Sequence, residues 1–182
     1  DIGTHISNHI SVSDGEKIVK SIAVNKFDDS YITAFTKYGM VKRMPLNLFE
    51  VTRYTKPVGM FKLRDNDEVV SISRVQGDEV VIVTKDGYSL RYETAEIPVV
   101  GLKTSGVKSI NLKDDHVVSV SNFSASDIEY VTIITDKGTA KRVKLSEFEK
   151  TSRAKRGLLL LREVKTNPYR IVKTLTIPSR DF

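Results

Sequence analysis

Basic side chains cluster in one part of this chain, and a cluster of cations suits a polyanionic partner. The densest group is Arg153, Lys155 and Arg156, just before Gly157. Residues 130–182 hold 13 Lys or Arg and 5 Asp or Glu, a net charge of +8, while residues 1–129 carry −2. Concentrated charge attracts polyanions more strongly than the same charge spread over a surface. The pattern favours nucleic acid as the partner, with a solvated, solubilising face as the alternative.

Signatures of catalysis or metal binding are weak by comparison. The sequence has no G-x-x-x-x-G-K-[ST] loop and no G-x-G-x-x-G loop after a strand. His5 and His9 have i, i+4 spacing but lie in an irregular segment, so a surface or turn role is favoured. Acidic pairs recur between predicted strands as turn formers do, and none completes a calcium loop. We expect a binding module without catalytic residues, metal or cofactor of its own.

Two further absences limit the class of protein. No cysteine is present, which excludes disulfides and thiolate metal sites and suits a cytoplasmic protein. No segment approaches the roughly 18 apolar residues of a membrane span. A soluble protein without a membrane partner is therefore expected.

Cations recur at equivalent places in three segments of the chain. One set follows a glycine by three or four residues, and another lies in the loop before a second glycine. In a stacked array such positions form a curved row along one rim, which suits a phosphate backbone. Tyr54 and Tyr92 lie near these cations, and packing is favoured over base stacking for both. The predicted DNA contacts are Lys42, Arg43, Arg53, Lys56, Arg91, Lys103, Lys108, Lys141, Arg142, Lys144, Arg153, Lys155 and Arg156.

Three strand–turn–strand segments position these cations. Gly39, Gly87 and Gly138 each come three residues after a Thr and four before an Arg. Two β-branched and aromatic runs joined by a glycine turn are typical of a hairpin, since glycine supplies the positive φ of tight turns. A large apolar residue stands ten positions after each glycine and is expected to anchor the chain. These anchors are Phe49, Ile97 and Phe148.

A second half-repeat follows each hairpin, with a glycine, an acidic turn and another strand. Four strands per unit of about 50 residues, without helical periodicity, predict an all-β, propeller-like array of blades. The chain opens in such a second half, so we expect an unpaired sheet edge there that favours association with another chain. The predicted units of this single domain are a trailing half-repeat (1–24), repeat 1 (25–75), repeat 2 (76–123) and repeat 3 with a tail (124–182).

The hairpin pattern T-x-x-G-x-x-K-R-x-x-L, followed by T-x-R and a glycine, resembles the C-terminal repeats of type IIA topoisomerase A subunits. Three copies in register carry the resemblance over essentially the whole chain. Within that family the chain looks most like the topoisomerase IV branch of Gram-positive bacteria, in the staphylococcal or bacillary range. The Q-R-R-G-G-K-G box of gyrase A subunits is absent, and Arg153-Ala-Lys-Arg-Gly157 keeps only its cations and one glycine.

The resemblance implies a β-pinwheel, a disc of five or six strand-swapping blades, here a partial disc of three repeats and a half. It implies a non-catalytic domain that binds and bends duplex DNA on a basic rim and presents it for strand passage in decatenation and supercoil relaxation. ATP, Mg²⁺ and the catalytic tyrosine would belong to other parts of the parent enzyme.

The partners implied by the resemblance are duplex DNA, the rest of the A subunit, its dimer mate and the B subunit with its ATPase, at the nucleoid in the cytoplasm. A gyrase A domain and a protein-interaction scaffold remain alternative interpretations.

Overall fold

A computed structural model of the chain describes residues 8–13, 18–24, 29–50, 58–64, 66–75, 77–160 and 171–178. In these ranges the regular structure is strand, apart from four 3-10 turns of three or four residues. No helix in the described part is long and apolar enough to cross a membrane. The strands are β1 (Asn8–Ser13), β2 (Ile18–Val24), β3 (Tyr31–Thr36), β4 (Met40–Pro45), β5 (Val58–Gly59), β6 (Val69–Arg74), β7 (Glu79–Thr84), β8 (Tyr88–Glu93), β9 (Val107–Lys108), β10 (Val117–Phe123), β11 (Ile128–Thr135), β12 (Ala140–Lys144), β13 (Leu158–Leu159) and β14 (Ile171–Pro178).

The strands form four small sheets. Blade 1 has the order β6-β3-β4-β9, blade 2 has β10-β7-β8-β13, and blade 3 has β12-β11-β14. The first sheet is β2-β1-β5, in which β1 and β5 run parallel. The three predicted hairpins are confirmed as the antiparallel pairs β3–β4, β7–β8 and β11–β12. The all-β, propeller-like architecture predicted from the repeat is therefore confirmed.

Each four-stranded blade borrows its last strand from the following repeat. Blade 1 ends in β9, which belongs to repeat 2, and blade 2 ends in β13, which belongs to repeat 3. At the other end of the sheets, β10 contacts both β6 and β14. The second-half strands therefore lie side by side on the inner edge of the array, and β9 and β13 lie on the opposite edge, called the rim from here on.

The Thr-x-x-Gly motif forms the hairpin turn. The Oγ1 of Thr36 accepts a hydrogen bond from the backbone N–H of Met40, and Thr84 does the same for Tyr88. The glycines of the three turns have φ of +90°, +95° and +74°, a region that L side chains rarely adopt. Threonine and glycine therefore recur because the turn requires both of them.

The predicted turn role of the recurring acidic residues is confirmed in two repeats. Asp67 Oδ1 accepts hydrogen bonds from the backbone N–H groups of Tyr38 and Glu68. Asp115 Oδ1 accepts equivalent bonds from Asp86 and His116. Each carboxylate thus ties the acidic turn to the hairpin turn of its own blade.

The core lies between the blades, because each blade presents an apolar face to its neighbour. One cluster packs Phe35 and Val41 of blade 1 against Ile82 and Leu90 of blade 2. A second cluster packs blade 2 against blade 3 around Val83. The predicted anchors are confirmed as buried, and they are Phe49, Ile97 and Phe148.

The packing role favoured for Tyr92 is also confirmed. The side chain is fully buried, and its hydroxyl hydrogen-bonds Ser109 Oγ at 2.6 Å. Burial raises the pKa of this phenol above its ordinary value. Tyr92 is therefore inaccessible for stacking on bases.

Candidate nucleic-acid interface

Lys42 lies in the interior, which corrects its expected position on the rim. Its side chain is 0% exposed, and Nζ donates to the carbonyls of Gly101, Leu102 and Thr104 at 3.1, 2.9 and 3.0 Å. Nζ also lies 4.6 Å from the centroid of the Phe61 ring. Burial lowers the pKa of Lys42 to about 8. This cation fastens a loop of repeat 2 to blade 1 and is not available to a polyanion.

Arg43 and Arg91 occupy the same place in their hairpins, and both hold the following repeat. Arg43 Nε donates to Ile97 O at 3.1 Å. Arg91 Nη1 donates to Leu145 O and Phe148 O at 3.2 and 3.1 Å. The carbonyl acceptors include those of the anchors Ile97 and Phe148, so the recurring arginine links each blade to the following repeat.

The charge of Arg91 is also neutralised within the fold. Its Nη2 lies 2.8 Å from Glu79 Oε2, and the two side chains are only 15% and 3% exposed. Lys150 Nζ lies 3.6 Å from Glu79 and 3.2 Å from Glu93, and its hydrogen bond to Glu93 raises the pKa of Lys150. The structure therefore corrects the expectation that Arg91 presents a free charge on the rim.

Arg153 pins the loop that carries its neighbouring cations. Its Nε donates to Glu96 O at 3.0 Å and its Nη1 to Lys108 O at 2.6 Å. The backbone N–H of Ala154 donates to Ser109 O at 2.8 Å, and Ala154 has a φ of +68°. A non-glycine residue keeps such a φ only where surrounding contacts impose it. Arg153 is half-buried and acts chiefly as a staple for this loop.

The remaining described candidates keep their cations at the surface. Lys103, Lys108, Lys141, Arg142, Lys144 and Lys155 are exposed. Arg142 contacts the ring of Tyr130, with Cζ 4.6 Å from the centroid. None of the six forms an ion pair with another residue in the described ranges. We use the term basic patch for five cations of repeat 3, which are the exposed Lys141, Arg142, Lys144 and Lys155 and the partly exposed Arg156.

Arg156 is held in place by an aromatic ring that the sequence interpretation overlooked. Its Cζ lies 4.1 Å from the centroid of the ring of Tyr88, the residue directly after the glycine of the β7–β8 hairpin. Such stacking stabilises a guanidinium while leaving its edge donors available. The available signal was an aromatic residue at the first position of a second hairpin strand, but its arginine partner lies in the next repeat.

A cleft opens on the rim where the loop of repeat 3 crosses β8. It has a volume of about 460 Å³. Gly157 forms part of its wall at a φ of +87°, and a Cβ there would lie 1.9 Å from Ser89 O. Only glycine fits so close to the neighbouring backbone. The rim cleft, as it is called below, is further lined by Leu90, Thr151, Ser152, Lys155, Arg156 and Leu158.

Several sequence predictions fall outside the described residues. Arg53 and Lys56 do so, as do His5 and Tyr54, and the side chain of His9 is likewise not described. Within the described ranges, no group of three or more His, Asp or Glu side chains comes together as metal ligands would. At His116, burial and then the neighbouring charges of Lys37 and Lys85 lower the pKa.

Sequence comparison connects this geometry to known proteins. The family described as DNA gyrase C-terminal domain, beta-propeller, matches residues 30–76, 78–124 and 129–176. The chain is 44% identical over 175 residues to the A subunit of DNA topoisomerase 4 from Bacillus subtilis (strain 168) and 35% identical to that of Staphylococcus epidermidis (strain ATCC 12228 / FDA PCI 1200). Each alignment covers 94% of this chain and 22% of the relative, so the chain spans about a fifth of their length.

Solved structures give the same relationship. The crystal structure of the C-terminal domain of DNA topoisomerase IV matches with a TM-score of 0.83 and 38% identity, over 97% of this chain and 55% of that one. The DNA gyrase A C-terminal domain matches with a TM-score of 0.75 over 92% of this chain and 56% of that one, and its 22% identity supports the fold alone. The resemblance drawn from the hairpin motif is confirmed, and the chain belongs to the family of DNA gyrase C-terminal β-propeller domains.

Proposed function

We propose that this chain is a non-catalytic, duplex-DNA-binding domain of a topoisomerase IV A subunit. It holds DNA on its rim, bends it, and presents it to the rest of an ATP-dependent enzyme for strand passage, in decatenation and relaxation of supercoils. The observation that carries the proposal is the basic patch, whose cations lie at the surface without ion pairs to other described residues. The similarity to topoisomerase 4 A subunits supports the same assignment.

Backbone recognition explains how such a surface would work. Phosphates are bound through charge and shape, so the contacts need no base-reading side chains and tolerate any sequence. Lys103 and Lys108 are exposed at the junction of blades 1 and 2 and would extend the row of cations beyond repeat 3. Arg43, Arg91 and Arg153 contribute indirectly, because they fix the relative positions of the blades.

The proposal also assigns partners. The rest of the A subunit, its dimer mate and the B subunit with its ATPase would complete the enzyme, and ATP, Mg²⁺ and the nucleophilic tyrosine would lie in those parts. DNA of the nucleoid, in the cytoplasm, would be the substrate. Arg53 and Lys56 remain predicted contacts.

Salt-dependent binding to a short random-sequence duplex, followed by fluorescence anisotropy, tests the proposal. Lys144→Ala with Lys155→Ala removes two cations of the basic patch. The slope of log affinity against log salt should become shallower by about 1.8, because each phosphate contact contributes about 0.9. The matched control, Lys85→Ala with Lys113→Ala, removes the same charge from exposed positions near the turns of blade 2. Equal losses from both pairs, or no binding by the parent chain, would contradict the proposal.

A protein-interaction scaffold is the second candidate, and one observation favours it. Leu158 and Leu159 on the edge strand β13 are 44% and 48% exposed, beside the cations of the loop. An apolar strip with adjoining positive charge suits an acidic protein partner, such as another component of the same enzyme. Salt-dependent duplex binding that requires Lys144 and Lys155 would argue against this as the main function.

A further inference from the structure

We propose that the rim cleft is a seat for one phosphodiester and its adjoining deoxyribose from a duplex backbone strand. The inference rests on the proposed DNA binding and adds the place at which one strand is gripped. Elsewhere on the basic patch the lysines offer mobile charge, whereas the cleft offers shape as well.

The lining of the cleft matches the two parts of a backbone unit. Lys155 and Arg156 supply positive charge, and Thr151 and Ser152, which also line the cleft, supply hydroxyl groups. Leu158, which is 44% exposed, supplies apolar surface on which the sugar can pack. Phosphate oxygens prefer charge-assisted donors, and an arginine can offer two parallel N–H groups. Glu149 also lines the cleft, and because its carboxylate opposes the binding of any anion, the charges of Lys155 and Arg156 must outweigh it.

Contacts within the fold hold the walls of the cleft in place without a ligand. Tyr88 stacks beneath Arg156, Arg153 staples the loop to Lys108 O, and Gly157 packs against Ser89 O. The backbone N–H of Asn111 fixes Lys155 O at 2.9 Å. A binding group that is already ordered loses little conformational entropy on binding. This distinguishes the rim cleft from a loose group of surface lysines.

The junction of blades 1 and 2 differs from the other junction in an interior cation. Three residues after the hairpin glycine, blade 1 carries Lys42 and blade 2 carries Leu90. In blade 1 the ammonium fills the space beneath the following loop and bonds to three of its carbonyls. In blade 2 the uncharged side chain of Leu90 is buried in the core between blades 1 and 2 and has no polar group to bond to the following loop. The loop of repeat 3 therefore has no interior ammonium bonded to its carbonyls, and the cations that it carries, Lys155 and Arg156, line the cleft instead.

Amide NMR of the 182-residue chain tests the seat directly. The probe is the dinucleotide thymidylyl-thymidine, compared with its neutral methylphosphonate analogue. We expect the charged probe to shift the amide resonances of residues 151–158, the analogue to shift them far less, and Lys155→Ala with Arg156→Ala to abolish the effect.

A second variant tests the same site in duplex binding. Leu158→Glu should weaken duplex affinity by about fivefold, the effect of one like charge at about 4 Å in water. Leu48→Glu is the matched control, because Leu48 is similarly exposed and repeats 2 and 3 already carry Glu96 and Glu147 at that position. The control should leave the affinity unchanged.

The outcomes separate the seat from the proposed function. Duplex binding that depends on Lys144 and Lys155, without dinucleotide shifts in residues 151–158, would overturn the seat and leave DNA binding intact. Equal shifts from the charged and neutral probes would also overturn it. Absence of any duplex binding by the parent chain would overturn the proposed function itself.

Discussion

Arg91 and Arg142 stand at the same position of the same motif, yet they have opposite surroundings. Arg91 is paired with buried Glu79 and bonded to two carbonyls of repeat 3. Arg142 is exposed and contacts the ring of Tyr130. A cation that recurs in a repeat protein can therefore serve contacts between adjacent repeats rather than the binding of a ligand. Its partners, and not its recurrence, indicate which role it has.

The largest difference between the two arginines should be in stability. Arg91→Ala leaves the carboxylate of Glu79 buried, with Lys150 Nζ 3.6 Å away as its remaining cation. We expect a loss of about 4 kcal/mol in the free energy of unfolding, as for other broken buried ion pairs. Arg142→Ala should change it by less than about 0.5 kcal/mol. Urea denaturation of both variants measures the contrast. Equal losses would show that the contacts of Arg91 stabilise the fold no more than those of Arg142.

The next largest difference in stability should be between variants of Gly157, which packs against blade 2, and of Gly138, in the hairpin turn of blade 3. Gly157→Ala places a Cβ 1.9 Å from Ser89 O at a φ of +87°, whereas Gly138→Ala meets nothing within 4 Å at a φ of +74°. The first substitution should cost about 3 kcal/mol, because both the clash and the backbone strain act. The second should cost about 1 kcal/mol from strain alone. Thermal unfolding would contradict this comparison if Gly138→Ala proved the more damaging.

The stability of the protein should also depend on pH through Lys42, the interior cation at the junction of blades 1 and 2. Burial lowers the pKa of Lys42 to about 8 from 10.5, so between these values the unfolded chain holds a proton that the folded chain has released. The free energy of unfolding therefore rises with pH across this window, and the penalty of the buried charge is greatest below pH 8. Relative to Lys42→Met, the parent chain should gain roughly 2 kcal/mol between about pH 8 and 10. Urea titrations of both proteins at the two pH values test this, and a constant difference would refute it.

The smallest effect should come from Arg142 in DNA binding. Arg142→Ala should flatten the salt slope of duplex binding by about 0.9, the value for one phosphate contact, and lower the affinity a few-fold. Arg142→Lys keeps the charge and serves as the control, with an affinity close to that of the parent chain. Fluorescence anisotropy at several salt concentrations measures both. Unchanged binding by Arg142→Ala would remove this residue from the proposed contacts.

Local features of the fold were predictable from the sequence because their partners lie close by along the chain. Thr36 bonds to a backbone N–H four residues later, and the hairpin glycine lies between them. The anchor Phe49 follows its turn by ten residues, as the anchors do in every copy of the pattern. Turn chemistry and strand alternation act over such short distances, so the repeat pattern was enough to predict hairpins and an all-β array.

The roles of the cations were less predictable, because their acceptors are distant and carry no side-chain signature. Lys42 bonds to carbonyls 59 to 62 residues further along, and Arg153 bonds to a carbonyl 45 residues earlier. Every residue has a carbonyl, so nothing in the sequence marks these acceptors. Sequence reasoning therefore placed Lys42, Arg91 and Lys155 together on one rim.

The sequence by itself determined the repeat, the turns, the anchors and the excess of positive charge in residues 130–182. Only the tertiary structure decided which cations are enclosed between blades and which face solvent. Blade stacking brings the backbone of one repeat over the side chains of the previous one, and a cation there is desolvated and bonded internally. Lys155 lies beyond that overlap, and for this physical reason its charge remains available at the surface.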